Sequence, residues 1–193
     1  DRRIEKTQGV GLHARLFHRP RRTRRCLVPL HIERDESYRY VAESIVTFML
    51  TFRELSRNEV ESVWNIDRRE VIDHVYYFEN GALVLTPEHY DMQGWNPHEA
   101  EHYTPILLDC FDRGGWFCGA FEDEKLVGVA VLDNKFIGRD KDQLQLKFLH
   151  VSRDYRGQGL GKKLFQMAAE KARDLEARQM YISATPSENT VNF

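Results

Sequence analysis

A glycine-rich loop, RGQGLG at residues 156–161, lies where an apolar strand pattern gives way to a helical one. Its three glycines occupy alternate positions, and glycine permits both positive φ and a close approach of the backbone to a ligand. The first turn of the predicted helix leaves N–H groups unpaired at the positive end of the helix dipole. The loop therefore predicts a phosphate or pyrophosphate site, with added positive charge from Arg156, Lys162 and Lys163.

Two common phosphate-binding patterns do not fit these residues. A P-loop ending on the Gly-Lys pair 161–162 needs glycine at position 156 and serine or threonine at position 163, where the chain has Arg156 and Lys163. A dinucleotide fingerprint starting at the first glycine of the loop needs a glycine where the chain has Lys162. What remains is Arg-x-x-Gly-x-Gly, preceded by the strand residues Leu-His-Val at 149–151.

A second pattern with chemical potential is His98-Glu-Ala-Glu-His102, which matches the His-Glu-x-x-His of zinc hydrolases. That chemistry needs both histidines on one helix face and a third ligand further along, for which no candidate follows. Thr104-Pro105 instead predicts a helix that begins at Ile106, with an exposed polar loop over Pro87–Tyr103. We therefore expect no metal, and keep a zinc hydrolase using His98 and His102 only as an alternative.

Composition indicates a globular domain with no bulk attraction to nucleic acid or membranes. The 193 residues are 41% hydrophobic, which can support a core, and the formal net charge is −2. Three cysteines without metal-ligand spacing favour a reducing, cytoplasmic location. No apolar run reaches the roughly 20 residues that cross a bilayer.

Residues 1–48 differ from the rest, because the segment Arg15–Arg25 holds six arginines and no acid. This segment could be a basic arm for nucleic acid or an acidic partner, or a transit peptide. It could also be upstream sequence that is not native, with the true start at Met49. We expect a basic, disordered extension over residues 1–48 and one domain over residues 49–193.

The first half of this domain is expected to contain a strand, a helix and a hairpin. Met49–Leu55 has the character of a strand, and Ser56-x-x-Glu59 is a capping box that begins a helix. Val71–Phe78 and Ala82–Leu85 flank an Asn-Gly pair, which is a strong hairpin signal. The alternative is that Val71–Phe78 ends the helical region. Further on, Ile106–Phe111 is expected to be a short helix that ends at two glycines.

The second half of the domain is expected to contain four strands and one helix, with one of the strands buried on both faces. Trp116–Phe121 and Leu126–Leu132 are rich in strand formers, and the second is apolar almost throughout, as in a strand buried on both faces. A charged loop leads to the strand 144–151. Helical spacing then begins at Leu160, followed by a strand over Met180–Ala184.

The strand 144–151 changes phase. Leu144, Leu146 and Phe148 place apolar residues on even positions, whereas Leu149 and Val151 place them on odd positions. Such a slip indicates a β-bulge, here predicted near Phe148-Leu149. A strand that is buried on both faces at its end is the alternative.

Together these features resemble the acetyl-CoA signature of the GNAT family of N-acetyltransferases. The family pattern is Gln/Arg-x-x-Gly-x-Gly/Ala, preceded by Leu-x-Val. The matching residues are Leu149, Val151, Arg156, Gly159 and Gly161. The resemblance covers about residues 49–193 and is strongest from Leu144 onward.

The resemblance implies an α/β (α+β) fold with a mixed central sheet, flanking helices, and fourth and fifth strands that splay around acetyl-CoA, the co-substrate. It also implies a C-terminally truncated chain, because the last two strands of the fold would follow Phe193. Backbone groups of the bulged strand would hold the pantetheine arm, and N–H groups of the loop would hold the pyrophosphate. The implied cofactor-binding residues are Leu149, Val151, Arg156, Gly157, Gln158, Gly159, Leu160, Gly161 and Lys162.

The implied reaction is transfer of the acetyl group to a primary amine of a small molecule or peptide, by direct attack in a ternary complex. The acid of the family is often a tyrosine that would follow Phe193, and His150 is a weak candidate for a catalytic role. A catalytically inactive acyl-CoA-binding module of the same fold is the alternative. Expected partners are the amine and a second copy of the chain in a homodimer, with neither a membrane nor nucleic acid.

Overall fold

The computed structural model describes residues 10–15, as backbone, and residues 50–193. In chain order its elements are β1 (Val10–Arg15), β2 (Leu50–Glu54), a 3₁₀ helix (Arg57–Asn65), β3 (Glu70–Glu79), β4 (Ala82–Met92), α1 (Glu99–Asp112), β5 (Trp116–Glu122), β6 (Lys125–Leu132), β7 (Gln143–Val151), a second 3₁₀ helix (Arg153–Tyr155), α2 (Leu160–Asp174), β8 (Gln179–Ala184) and α3 (Glu188–Val191). None of the described helices is long and apolar enough to span a membrane.

A six-stranded sheet with the order β1-β8-β7-β6-β5-β2 forms the centre of the fold. Its neighbouring strands are antiparallel except β7 and β8, which are parallel. The hairpin β3–β4 forms a separate two-stranded sheet. The predicted fold class, a mixed sheet with flanking helices, is therefore confirmed.

Apolar side chains cover both faces of this sheet. On one face α2 packs through residues such as Leu164 and Ala168 against Leu144 and Met180. On the other face, the first 3₁₀ helix and α1 supply a second core that includes Val63, Leu107 and Phe117. Strand β6 contributes to both cores and is buried from Leu126 to Leu132, which confirms its prediction as a central strand.

Local signals account for two of the early elements. The Ser56 N–H donates to Glu59 Oε2 at 2.8 Å, so the predicted capping box is present, although the helix that it begins is of the 3₁₀ type. Asn80 and Gly81 have φ values of 50° and 86°, as a tight two-residue hairpin turn with positive φ at both positions requires. The predicted hairpin is confirmed.

The boundaries of the following segment were predicted wrongly. Residues 87–92, expected in a polar loop, continue β4 to Met92. Helix α1 begins at Glu99 instead of Ile106 and contains Pro105. The physical reason is that Thr104 does not cap a helix: its Oγ1 accepts the indole N–H of Trp64 at 2.9 Å.

The N-terminal strand β1 lies in the predicted extension. It pairs antiparallel with β8, from Val10↔Ala184 to Arg15↔Gln179. Residues 10–15, expected to belong to a disordered extension, therefore contribute a strand to the main sheet. The other residues of the extension, including 16–25 of the arginine-rich segment, lie outside the described residues.

Candidate active site

Strands β7 and β8 are neighbours over only part of their length. Their register runs from Gln143↔Gln179 to Leu146↔Ile182. Beyond that point β7 continues beside β6 as far as Val151↔Gly128, and β8 continues beside β1 as far as Ala184. The two strands therefore separate, and a cleft opens between the end of β7 and the end of β8.

A β-bulge lies where this separation begins. Val131 pairs with Phe148, and the next residue of β6, Leu132, pairs with Leu146. Lys147 is thus the extra residue, one position before the predicted bulge at Phe148-Leu149. The predicted bulge near Phe148-Leu149 is therefore confirmed. The alternation changes phase there because Phe148 is apolar like Leu146 but packs in the core on the opposite face of the sheet.

The bulge sets the direction of the backbone groups that border the cleft. The Ser152 N–H donates to the Val127 carbonyl of β6 at 2.8 Å. Because hydrogen-bonding directions alternate along a strand, His150 also faces β6, while Leu149 and Val151 direct their N–H groups into the cleft. Two N–H donors at this spacing suit an extended ligand that carries amide groups.

The loop between β7 and α2 provides a second set of donors. Gly157 and Gly159 have φ values of 72° and 81°, and a Cβ at either position would meet no atom within 4 Å. Helix α2 starts directly after Gly159, whose carbonyl accepts the Lys163 N–H. Among the described residues, the N–H groups of residues 157–162 have no backbone partner. This loop is an open cradle at a helix N-terminus, suited to an anion.

Gly161 is constrained by packing and not by backbone conformation. It lies inside α2, and a Cβ there would lie 3.1 Å from Cε2 of Phe193 and 3.7 Å from a methyl carbon of Val151. The Phe193 ring also packs edge-on against Phe165, with centroids 6.3 Å apart. The third glycine of the signature therefore allows the chain after β8 to approach α2 closely.

Arg156 differs from its predicted role. Its N–H already donates to the Arg153 carbonyl, so this N–H is not available to the cradle. Its guanidinium donates to the carbonyl oxygens of Val151 at 2.9 Å and of Asp67 and Arg69 at 3.3 Å each. Arg156 thus fixes the loop to β7 and to the segment before β3, while Lys162 and Lys163 are exposed cations at the start of α2.

His150 lies on the face of β7 opposite to Leu149, as alternation predicts. Its ring packs edge-on against Trp95 and Phe148, with centroids 5.0 and 5.2 Å apart. Burial, together with the positive charges of Arg68 and Arg156, lowers the pKa of His150 to about 3. His150 is therefore neutral at physiological pH and a weak base.

An aromatic cluster beside His150 was not predicted as a unit. Trp95 lies 4.7 Å from Trp64, centroid to centroid, and its indole N–H donates to the Ile66 carbonyl at 3.0 Å. Arg68 covers the Trp95 ring at 4.4 Å and pairs with Glu99 at 3.0 Å. The only sequence signal was the aromatic composition of the segment before α1, which does not indicate where these rings meet.

Glu70 contacts both the loop that follows β7 and the helix that follows β8. Its Oε2 lies 3.7 Å from Arg156 of the loop, and its Oε1 accepts a hydrogen bond from Asn189 of α3 at 3.1 Å. Nearby, the Tyr76 N–H donates to the Pro186 carbonyl at 2.7 Å. Strand β3 therefore contacts both the loop that follows β7 and the segment that follows β8.

The histidine pair does not form a metal centre in the described part of the chain. His98 precedes the first residue of α1 with φ of 66°, and its Nδ1 lies 3.1 Å from Glu101 Oε2. His102 lies on the helix, contrary to the predicted loop, and packs edge-on against Tyr103. Residues 50–193 contain no group of three or more His, Cys, Asp or Glu side chains arranged to hold a metal ion.

Comparisons with known proteins agree with this geometry. The chain matches the model of the Acetyltransferase (GNAT) family over residues 81–193, and no curated protein matches it closely. It is similar in structure to nourseothricin acetyltransferase, with a TM-score of 0.54, 18% identity, and coverage of 72% of this chain and 75% of that chain.

Two further structures have the same fold. One is a candidate streptothricin acetyltransferase from Bacillus anthracis str. Ames in complex with acetyl coenzyme A, with a TM-score of 0.54, 17% identity, and coverage of 73% and 78% of the two chains. The other is AAC(6')-Iy with the bisubstrate analogue CoA-S-monomethyl-acetylneamine, with a TM-score of 0.51, 12% identity, and coverage of 73% and 83%. Because the family model covers more than half of the sequence, this chain belongs to the GNAT family of acetyltransferases.

Proposed function

We propose that this protein transfers the acetyl group of acetyl-CoA to a primary amine of a small molecule or peptide, by direct attack in a ternary complex. The observation that carries the proposal is the separation of β7 from β8 beyond Leu146↔Ile182, next to a glycine cradle whose N–H groups have no backbone partner in the part of the chain that the structure describes. An extended cofactor with amide groups at one end and phosphates at the other needs N–H donors along a strand, followed by an anion-binding loop at the end of that strand.

The residues around the cleft fit CoA part by part. N–H groups of Leu149 and Val151 would bind the pantetheine amides and the acetyl carbonyl. The N–H groups of residues 157–162 and the start of α2 would bind the pyrophosphate, with Lys162 and Lys163 nearby. Of the predicted cofactor-binding groups, the Arg156 N–H is left out because the Arg153 carbonyl accepts it.

The protein contributes chiefly placement and charge stabilisation. Bound acetyl-CoA supplies an activated thioester. Holding the amine against it in a fixed orientation provides a large part of the rate enhancement. The Leu149 N–H, directed into the cleft, would donate to negative charge that develops on the carbonyl oxygen. His150 is not the base in this proposal, because a group with a pKa of about 3 takes a proton from an ammonium ion only weakly.

Charge on the side of β3 supports a cationic acceptor. Residues 70–112, which include the hairpin and α1, contain nine Asp or Glu and no Lys or Arg. Four of these acids pair with arginines from outside the segment, namely Glu70, Glu99, Asp109 and Asp112. The other five leave the segment with a net negative charge, which attracts ligands of the opposite sign and raises their local concentration. Amines carry positive charge at neutral pH, so this segment would favour their approach, whereas the loop on the other side of the cleft favours phosphates.

A screen of amines with a free-thiol assay tests the proposal. Small polyamines, amino sugars and lysine-containing peptides are incubated with the full chain and acetyl-CoA, and release of CoA thiol is measured. We expect thiol release that depends on both the amine and the protein. CoA binding without thiol release for any amine would instead favour a binding module of the same fold.

A further inference from the structure

The bulge residue of β7 contacts a charged residue that directly follows β6. Lys147 Nζ lies 3.2 Å from Asp133 Oδ2, and the two side chains are only 20% and 7% exposed. Asp133 directly follows Leu132, which pairs with Leu146 on the near side of the bulge. The ion pair therefore forms at the bulge itself.

Asp133 is fixed by several other contacts. Its Oδ1 accepts hydrogen bonds from Arg113 Nη1 at 3.1 Å and from the Lys135 N–H at 3.0 Å. Its own N–H donates to the Gln145 carbonyl at 2.9 Å. Burial alone would raise the pKa of Asp133, but hydrogen bonds from Arg113, Lys135 and Lys147 hold that pKa below its usual range. The carboxylate is thus a charged, immobile anchor.

We propose that the Lys147–Asp133 ion pair is a positioning device that holds the extra residue of β7 in place and thereby directs the Leu149 and Val151 N–H groups into the cleft. Without the bulge, the rest of β7 would shift by one residue, and every later side chain would change face. The N–H of Leu149 would then face β6. The ion pair keeps Lys147 on the α1 side of the sheet and excludes that register.

Three variants of the full chain separate positioning from general stability. Lys147→Met removes the charge and keeps the aliphatic stem, and Lys147→Arg restores the charge. Asp109→Ala is the matched control, because Asp109 binds the same Arg113 at 2.8 Å but does not reach β7. CoA is the probe, measured by calorimetry, and amide hydrogen exchange at Leu149 and Val151 reports the local geometry.

We expect Lys147→Met to raise the Kd for CoA by about tenfold, which is the factor that one lost hydrogen bond is worth, and to change exchange at both amides. Lys147→Arg keeps the positive charge beside Asp133 and should return both properties to within about twofold of the original chain, and Asp109→Ala should leave both unchanged. If Lys147→Met does not fold, Lys147→Gln takes its place with the same expectation.

Unchanged CoA affinity and amide exchange in the Met variant would overturn the inference, and so would a failure of Lys147→Arg to restore them. The inference rests on the proposed function only in the choice of CoA as the ligand that is measured. If the original chain does not bind CoA at all, the proposed function fails, and hydrogen exchange at Leu149 and Val151 alone decides whether the ion pair positions the strand.

Discussion

Leu146 and Ile182 are the last residues at which β7 and β8 are paired. One residue later β7 has its bulge at Lys147, and the strand then directs the N–H groups of Leu149 and Val151 toward the space that β8 leaves. Arg156 then joins the end of β7, the glycine loop and the segment before β3. The cleft thus depends on the β-bulge at Lys147 and on the side chain of Arg156, which fixes the end of β7.

Arg156 is expected to act as a structural support of the cofactor site. Arg156→Met removes donors to three carbonyl oxygens, two of them at a long 3.3 Å. At about 1 kcal/mol for an ordinary hydrogen bond and less for a long one, the free energy of unfolding should fall by roughly 2 kcal/mol, and CoA affinity should fall with it. Chemical denaturation and calorimetry measure both. Arg153→Met, at an exposed position of the same loop, is the control, and equal effects of the two substitutions would contradict this role.

His150 should make the protein less stable in acid. Its pKa is about 3 in the folded protein against an ordinary value of 6.5, so the unfolded chain binds the proton more tightly. Its contribution to stability is therefore complete above pH 6.5 and is lost as the pH falls toward 3. By pH 4 the loss should be roughly 3 kcal/mol.

His150→Phe keeps a ring in the same position but cannot bind a proton. Thermal unfolding of both proteins between pH 4 and pH 8 should therefore show a smaller loss of stability in acid for the variant. Parallel curves for the two proteins would mean that His150 titrates normally in the folded state.

Thr104 should contribute to stability through Trp64. Thr104→Val keeps the shape of the side chain and removes the acceptor of the indole N–H, which lies 2.9 Å away. We expect a loss of about 1 kcal/mol in the free energy of unfolding, measured by urea denaturation, with little loss in Thr104→Ser. If Thr104→Val and Thr104→Ser are equally stable, the hydrogen bond is not important.

Local rules predicted the parts of the site that depend on backbone conformation. The positive φ of Gly157 and Gly159 follows from the need for glycine at a tight strand-to-helix turn, and the phase change from Leu146 to Leu149 follows from alternation along a strand. The fold class and the family signature were visible for the same reason. These features are encoded by neighbouring residues.

The features that the sequence did not predict depend on contacts between distant residues. Thr104 has the pattern of a helix cap, but a tryptophan 40 residues earlier takes its hydroxyl. Phe148 continues the apolar pattern of Leu146 but belongs to another core. Arg156 has the pattern of a phosphate ligand, but its guanidinium donates hydrogen bonds to the carbonyl oxygens of residues 67 and 69. Spacing alone cannot indicate such partners.

The most direct test of the cofactor cleft is the binding of CoA to the full chain, measured by thermal shift and calorimetry. Gly159→Trp places an indole in the open cradle, and Asp140→Trp places one on the exposed loop before β7, at the opposite end of that strand. We predict that CoA raises the Tm of the original chain and of Asp140→Trp, but not that of Gly159→Trp. The absence of any response of the original chain to millimolar CoA, or equal protection of all three proteins, would contradict the account.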